Sequence, residues 1–411
     1  SGRGWCSRGI PMKKSFSLKT LITVTAFGIA ASVLITCMVF QSALISAEKE
    51  VAGSYSAKAD EILELVDKYY MGEVDDSAMA DSIASGAVAG LGDKYSSYIT
   101  AQNASTRFDT LYGYNTGLGV QVSLHPDNGS IVVLELHDDG PAKASGIKVL
   151  DEITAVDGKN VTEVGYNETL QYIKEQATGT VITVTVDRNG ESSDIPVELK
   201  HYDAQTVFSR LVGDKGYIQI TSFNEKSPDQ FKTAVDSMIA SGATALIFDL
   251  RGNGGGTVTS VSSMLDYLLP EGLILKIEYK DKNSNEVYMS DKSSVDIPMA
   301  VLTDEGTASA SEIFTQSLRD YGKAVIVGRQ TYGKGVVQRT FTLSDGSLAV
   351  LTVAHYYTQS GYCPEGQGIT PDVQMTWTQD ELKYRLVGGI EKDKEFIAAC
   401  DYLDSASNQP S

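Results

Sequence analysis

Three short stretches of this 411-residue sequence combine reactive side chains with very small neighbours. In the first, G-T-A-S-A-S-E at residues 306–312, hydroxyl side chains alternate with glycine and alanine, which would leave a serine uncovered. The spacing of Ser309 and Glu312 also fits the capping box, in which both side chains satisfy backbone N–H groups at a helix start. This stretch alone predicts a helix N-terminus, and a serine nucleophile is the alternative that other motifs must support.

The second stretch, D-L-R-G-N-G-G-G at residues 249–256, follows an apolar run and precedes a helical pattern. This is the setting of a phosphate-binding loop. A dinucleotide fingerprint would require glycine or alanine where the chain has Thr257, and no G-K-[ST] motif is present. Nucleotide binding is therefore disfavoured, whereas outward N–H groups of such a glycine turn suit an oxyanion as well as a phosphate.

The third stretch, T-Y-G-K-G-V-V-Q at residues 331–338, places Lys334 between two glycines. Desolvation lowers the pKa of a lysine, and moving it from about 10.4 to the 7–8 of a useful base costs about 4 kcal/mol. On a strand, residues 334, 336 and 338 share a face, so Lys334 and Gln338 could meet. A surface lysine in a glycine-rich turn is the alternative.

Histidine offers little help to a serine nucleophile here. The chain has four histidines, and His355 alone lies in its α/β part. The V-A-H-Y-Y run around His355 alternates like a strand, which favours a structural role. A catalytic serine would therefore depend on lysine, a known variant of the serine triad.

Bulk composition excludes one class of partner and leaves the redox state open. The net charge of −19 argues against nucleic acid, which requires clustered lysine and arginine. Four cysteines are too few for a disulfide framework. Cys363 and Cys400 could form a disulfide or remain free thiols, and the sequence does not distinguish between these alternatives.

The N-terminal part predicts a membrane anchor. Thr20–Ala47 contains no charged residue, and about 20 apolar residues span a bilayer. Lys13, Lys14 and Lys19 precede this run, which places the N-terminus in the cytoplasm and the bulk of the chain outside. A cleavable signal peptide is the rival, but residues 45–47 put bulky isoleucine where its cleavage site needs a small residue.

The positions of these motifs depend on the elements around them. Residues 57–70 and 77–91 have helical apolar spacing, and residues 112–192 hold short β-type runs broken by Asn-Gly and Asp-Gly turn signals. From residue 216 onward strands alternate with helices, which predicts a largely parallel sheet. The strands expected there are 217–220, 245–250, 299–303 and 324–327, and the helices are 229–240, 258–269, 312–320, 379–386 and 392–403.

Four motifs in this order resemble the carboxyl-terminal processing, or tail-specific, proteases. They are the three stretches above and G-I-T-P-D-V at residues 368–373, and the resemblance covers residues 57–403. It implies a crotonase-like α/β serine protease core with an inserted β-rich PDZ domain, flanking helices at both ends and the N-terminal transmembrane helix. The domains expected are a cytoplasmic tail 1–19 (1–11 as an extension before Met12), the anchor 20–45, an N-terminal helical region 46–108, the PDZ domain 109–192, the protease core with its cap 193–375, and a C-terminal helical region 376–411.

The resemblance assigns roles to the candidate residues. It implies Ser309 as nucleophile, Lys334 as general base and Gln338 as the residue that orients Lys334. The oxyanion hole is expected from the N–H groups of Ser309 and Gly255. Asp320 matches a family position interpreted as structural, and neither a metal nor an organic cofactor is expected.

The β-rich module resembles a PDZ domain through G-P-A-K-A-S-G-I-K-V-L-D-E-I-T-A-V-D-G at residues 140–158. T-G-L-G-V at residues 116–120 falls where PDZ domains bind the C-terminal carboxylate of a peptide. The resemblance therefore assigns substrate binding to Gly117, Leu118, Gly119 and Val120. Residues 149–151 depart from the family, which usually has glycine before the aspartate.

The expected function is that of a PDZ-gated serine endopeptidase anchored in the cell membrane, with its catalytic part outside the cytoplasm. Its substrates would be proteins with free, apolar C-terminal tails. The resemblance also implies a homodimer formed through the N-terminal and C-terminal helices. The alternative from another class is a catalytically silent, membrane-anchored PDZ scaffold or receptor that binds C-termini. A nucleotide-binding enzyme is a more distant third.

Overall fold

The computed structural model describes residues 36, 38, 55–378, 381–382 and 389–407. The chain divides into two compact units, Ser1–Ala84 and Ser85–Ser411. Within the described residues no helix is both long and apolar enough to span a bilayer. Of the membrane span predicted at 20–45, the structure describes only residues 36 and 38. The predicted anchor therefore lies outside the described residues.

Most predicted helices and strands form close to their expected bounds. The helices are α1 (55–69), α2 (Asp76–Ala89), α3 (Ala101–Tyr112), α4 (Pro141–Ala144), α5 (Val161–Val164), α6 (Tyr166–Glu175), α7 (Ser227–Ala240), α8 (Val258–Leu268), α9 (Ala310–Asp320) and α10 (Lys394–Ser407). The strands are β1 (Ser97–Ile99), β2 (Tyr114–Gly117), β3 (Val120–Leu124), β4 (Ile131–Leu136), β5 (Glu152–Val156), β6 (Lys159–Asn160), β7 (Val181–Arg188), β8 (Glu191–Glu198), β9 (Lys200–Asp203), β10 (Val207–Val212), β11 (Lys215–Ile220), β12 (Ala245–Asp249), β13 (Gly272–Tyr279), β14 (Glu286–Ser290), β15 (Met299–Thr303), β16 (Ala324–Gly328), β17 (Val336–Thr342), β18 (Leu348–Thr358) and β19 (Val373–Gln374). The helix predicted at 379–386 falls mostly on residues that are not described.

A six-stranded sheet in the order β10-β11-β12-β15-β16-β19 forms the core of the second unit. Its strands are parallel except for the β10–β11 hairpin, as the alternation of strands and helices predicted. All five residues of β12 are buried, which is typical of a strand covered on both faces. Phe248 packs with α7, α8 and α9 on one face, and Ile247 packs with α10 on the other. The loops that follow β12 and β15 carry the first two motifs.

A second sheet is antiparallel, and the third motif runs into one of its strands, β17. It runs β1-β18-β13-β14, with β17 paired to β18. Sequence analysis anticipated β17 and β18 only in part and gave no strand for β13 or β14. In β14 the apolar side chains of Val287 and Met289 are 58% and 57% exposed, so this strand lacks the pattern of a core strand, whereas Ile274, Leu275 and Ile277 of β13 are buried.

The β-rich module that resembles a PDZ domain is an antiparallel sheet in the order β3-β4-β5-β7-β8, with β6 returning against β5. The two turn signals form as expected, with left-handed backbone at Asp157 and Gly158 and at Asn189 and Gly190. Strand β8 continues the sheet to Glu198, past residue 192 at which the sequence placed the end of the module. Pairing of β2 with β9 joins the two ends of the module beside the core.

Candidate active site

Ser309 lies at the turn between β15 and α9 in a strained backbone conformation. Its φ is 57° and its ψ is −117°, a region that residues with a Cβ rarely adopt. Such strain costs about 1–3 kcal/mol and persists at functional sites, and a sharp strand-to-helix turn exposes the nucleophile in other hydrolases. Ala308 and Ala310 on either side are buried, whereas Ser309 is half-buried. The turn therefore presents this hydroxyl and covers its neighbours.

Glu312 is a fully buried carboxylate that connects the serine turn to the lysine loop. Its Oε2 accepts hydrogen bonds from the N–H groups of Ser309 at 2.9 Å and Lys334 at 2.8 Å. Its Oε1 accepts from Thr331 Oγ1 at 2.5 Å and from the N–H of Gly333 at 2.9 Å. The bond from the Glu312 carboxylate to the Ser309 N–H, which the capping box predicts, is thus present. The same carboxylate also binds residues 331–334. The sequence analysis predicted the helix cap but not this second contact, because no local pattern places residues 331–334 beside α9.

The backbone around Lys334 is held from several sides. Burial raises the pKa of Glu312, while the bonds from Thr331, Lys334, Ser309 and Gly333 act to lower it. Tyr356, also buried, has its hydroxyl 2.7 Å from the carbonyl oxygen of Lys334 and 3.2 Å from that of Ser309. These contacts fix the main chain at both the predicted nucleophile and the predicted base.

The Lys334 side chain is half-buried, and its Nζ lies 5.0 Å from the centre of the Tyr95 ring. Burial lowers the pKa of Lys334, and the guanidinium of Arg107 lowers it further, while Glu365, Asp93 and Glu312 oppose the shift. The direction is the one a general base requires. In the described part of the chain, no hydrogen bond joins Lys334 Nζ to Ser309 Oγ. Catalysis by this pair would require the amine to approach the hydroxyl.

The strand that the sequence suggested for residues 334–338 does not extend to Lys334. Lys334 precedes β17, which begins at Val336, and the register shift opposite Val337 and Gln338 skips Val353 of β18. Because Lys334 lies outside the strand, strand alternation does not place it on the same face as Gln338. Gln338 Nε2 donates instead to Thr352 Oγ1 at 3.4 Å. Its role in orienting Lys334 stays a prediction.

The glycine loop packs directly against the serine turn. A Cβ on Gly255 would lie 2.8 Å from the carbonyl oxygen of Ala308, 2.9 Å from the nitrogen of Ala310 and 2.9 Å from Ser309 Cβ. Asn253 fixes the loop, since its Nδ2 donates to the Ile220 carbonyl at 2.8 Å. Sequence reasoning placed these two motifs together by resemblance, and the structure brings them into contact.

Both N–H groups predicted for the oxyanion hole already donate within the protein. The Gly255 N–H donates to Asn253 Oδ1 at 2.8 Å, and the Ser309 N–H donates to Glu312. Binding of an oxyanion at these groups would require them to exchange those acceptors for the substrate oxygen. The assignment of Ser309 and Gly255 as donors remains a prediction.

Replacing Gly255 by alanine is expected to lower kcat about 100-fold, the size of effect that a misplacement of about 1 Å produces. The added methyl would clash with the serine turn, and the φ of +102° is strained for alanine. Gly254 provides a matched control, because a Cβ there meets no atom within 4 Å. Steady-state kinetics of both variants would test this, and equal activity of G255A and G254A would contradict it.

Backbone hydrogen bonds from the rest of the β-rich module hold its predicted peptide-binding loop in place. The carbonyl of Leu118 accepts from the N–H of Ala142 at 2.8 Å, and that of Gly119 accepts from His137 at 3.0 Å. A Cβ on Gly119 would lie 2.5 Å from Gly140 Cα, so only glycine fits at this close approach. Strand β3, which begins at Val120, is the end strand of its sheet. An end strand suits peptide addition, although the role of Gly117–Val120 stays a prediction.

Two further positions have structural explanations. Leu150 stands where the resemblance expects glycine, and it keeps the turn by adopting a φ of 69°. The next residue, Asp151, is buried and pairs with Arg188 at 2.6 Å.

Asp320 accepts hydrogen bonds from Gln316, Thr358 and Ser360. These bonds connect the end of α9 to the end of β18, which agrees with a structural role. Cys363 and Cys400 are both free thiols.

Comparison with known proteins assigns the class. Peptidase family S41 matches residues 214–375, and the PDZ domain matches residues 116–199. The carboxy-terminal processing protease CtpA of Bacillus subtilis is 32% identical over 368 residues, which cover 88% of this chain and 78% of that protein. A probable CtpA-like serine protease of Staphylococcus aureus strain N315 is 29% identical over 399 residues, 96% of this chain and 78% of its own.

The likeness extends to solved structures. The crystal structure of a putative S41 protease from Bacteroides fragilis shares the fold with a TM-score of 0.58 at 17% identity, over 82% of this chain and 93% of that one. By class, then, the protein is a serine-type peptidase with a PDZ domain. It belongs to peptidase family S41, among the carboxy-terminal processing proteases, as the four motifs predicted.

Proposed function

We propose that this peptidase cuts proteins at or near their C-terminal tails with a Ser309–Lys334 pair. The observation that carries the proposal is the strained Ser309 turn, joined through the buried Glu312 carboxylate to a half-buried lysine. Burial of that lysine favours its neutral form, which is the form able to accept a proton.

The proposed reaction follows from these groups. Neutral Lys334 takes the proton from Ser309 Oγ as the oxygen attacks the peptide carbonyl, and the tetrahedral oxyanion is held by backbone N–H groups. When the C–N bond breaks, the Lys334 ammonium returns its proton to the leaving amine, and an acyl-enzyme remains on Ser309. Water then attacks the ester with Lys334 as the base, which releases the acid and restores the serine.

The pH dependence of kcat/KM should report the lysine. Only the neutral amine is active. We therefore expect kcat/KM to increase as the pH rises through the lowered pKa of Lys334, and to decrease as the pH drops below that pKa. Because the Arg107 guanidinium helps to lower this pKa, R107Q should move the ascending limb to higher pH. A pH–rate profile of both proteins checks the prediction. An ascending limb near the ordinary lysine value of about 10.4, or one that R107Q leaves unmoved, would contradict it.

Recruitment by the PDZ module is the second part of the proposal. A substrate tail would add as a strand beside β3, with its carboxylate at Gly117–Val120, and binding would allow Lys334 to approach Ser309. Substrates of equal sequence with a free or an amidated apolar C-terminus test this. Faster cleavage of the free form supports the proposal. Tail binding without proteolysis of casein would instead favour a silent PDZ scaffold.

We further propose a membrane-anchored protein with its catalytic part outside the cytoplasm, on the strength of the uncharged run Thr20–Ala47. Membrane fractionation of cells, followed by external protease treatment, tests the location. A fully soluble or fully protected protein would contradict it.

We also propose self-association as a homodimer. Helix α1 exposes apolar side chains, with Ile62, Leu65 and Tyr69 each more than half exposed. Light scattering on the part of the chain from residue 55 onward tests this, and a monomer across micromolar concentrations would exclude it.

A further inference from the structure

The first turn of the C-terminal helix α10 contacts Arg251 and Arg329, which belong to two of the loops that carry the candidate site. Its apolar side packs on the core sheet through Phe396, Ala399 and Leu403. Its first turn bears Glu395, whose side chain has no solvent exposure. Burial of a carboxylate costs several kcal/mol unless charged partners compensate it, so the partners of Glu395 have to explain its position.

Each oxygen of Glu395 contacts a different arginine. Oε2 accepts from Arg251 Nη1 at 2.6 Å, and Oε1 accepts from Arg329 Nη1 at 2.8 Å. Oε1 also accepts from Trp377 Nε1 at 2.6 Å. This one carboxylate therefore links two arginines that are 78 positions apart along the chain.

The two arginines lie at the bases of the site loops. Arg251 belongs to the glycine loop and precedes Gly255 by four residues, and Arg329 precedes Lys334 by five. Arg329 also binds Glu305 through Nε at 2.8 Å, within the loop that leads to Ser309.

Next to Glu305, Asp304 Oδ1 accepts from the N–H groups of Gly252 and Gly306. These bonds connect the loop that leads to Ser309 with the glycine loop. Through Arg251 and Arg329, Glu395 is therefore bonded to a network that connects all three loops.

We propose that Glu395 is a positioning residue of the active site: from the C-terminal helix, its carboxylate holds in register the three loops that carry Gly255, Ser309 and Lys334. The inference rests on the proposed function, because it concerns the same reaction. Glu395 touches no reacting atom and acts only through Arg251 and Arg329.

Loss of the Glu395 charge should loosen the loops without leaving either arginine uncompensated. Arg251 retains its paired bonds to Asp249, at 2.9 and 2.5 Å, and its bond to Asp393 at 2.7 Å. Arg329 retains Glu305. The variant E395Q should therefore fold, with the bridge between the loops as its main loss.

The test compares E395Q with E381Q in the full chain. Glu381 is a matched control, because it pairs with Lys394, the neighbour of Glu395, on the exposed surface at 2.8 Å. We expect kcat of E395Q on an unstructured substrate to fall at least about 10-fold with KM within about twofold, and labelling of Ser309 by a fluorophosphonate to slow in parallel. E381Q should behave as wild type. Equal kcat for the two folded variants would overturn the proposal.

A second variant keeps the test decisive if E395Q does not fold. R329K keeps the positive charge beside Glu305 but loses the planar fork that bonds two carboxylates at once. A loss of kcat at unchanged KM supports the positioning role, and wild-type kcat overturns it. Failure of the proposed function is distinguishable, since wild type itself would then neither cleave casein nor be labelled.

Discussion

Replacement of Ser309 by alanine is expected to reduce peptide-bond cleavage by at least about 10⁴-fold, since triad enzymes lose this much without their nucleophile. Lys334→Arg should have a comparable effect. Arginine is of similar length but stays protonated at neutral pH, so it cannot serve as the base. Cleavage of casein and of a fluorogenic peptide measures both losses, and thermal unfolding checks that the variants fold.

Lys94 supplies the matched control for the lysine. Its Nζ lies 4.7 Å from the centre of the same Tyr95 ring that Lys334 approaches, and its side chain is exposed. K94R should therefore retain near wild-type kcat. If K334R retained activity as well, the general-base assignment would be wrong, and an active S309A would remove the nucleophile.

Replacement of Glu312 by glutamine should lower kcat about 100-fold and reduce the free energy of unfolding by about 2–4 kcal/mol. Its carboxylate oxygens face only donors: the N–H groups of Ser309, Gly333 and Lys334 and the hydroxyl of Thr331, which itself accepts from the Ile369 N–H at 2.7 Å. A glutamine would turn its amide NH₂ toward two of them. The unpaired donors would then loosen both the serine turn and the lysine loop.

Glu271→Gln is the control for this charge change, because Glu271 is exposed and precedes β13. Denaturant unfolding and steady-state kinetics on E312Q and E271Q separate the two effects. If E312Q lost much stability but its folded fraction kept the wild-type kcat, the predicted effect on catalysis would be wrong and the role of Glu312 would be purely structural.

Local sequence signals were reliable where a single segment sufficed. The five buried residues of β12 are apolar except for the terminal Asp249, and this run identified a central strand. The Asn189-Gly190 and Asp157-Gly158 turns formed as expected, since both require left-handed backbone that these residues tolerate. The strand-face argument for Gln338 did not reach Lys334, because β17 begins only at Val336 and residue types alone do not mark that start.

The motif order by itself determined the family, the PDZ module and the identity of Ser309 and Lys334 as candidates, because the types and spacing of these residues lie within short continuous stretches. Only the tertiary structure decided what holds them. Glu312 meets Lys334, and Glu395 meets Arg251 and Arg329, across separations of 22, 144 and 66 residues. The physical reason is that buried charges must find partners, and which distant partner is available depends on how the sheet brings the loops and the C-terminal helix together.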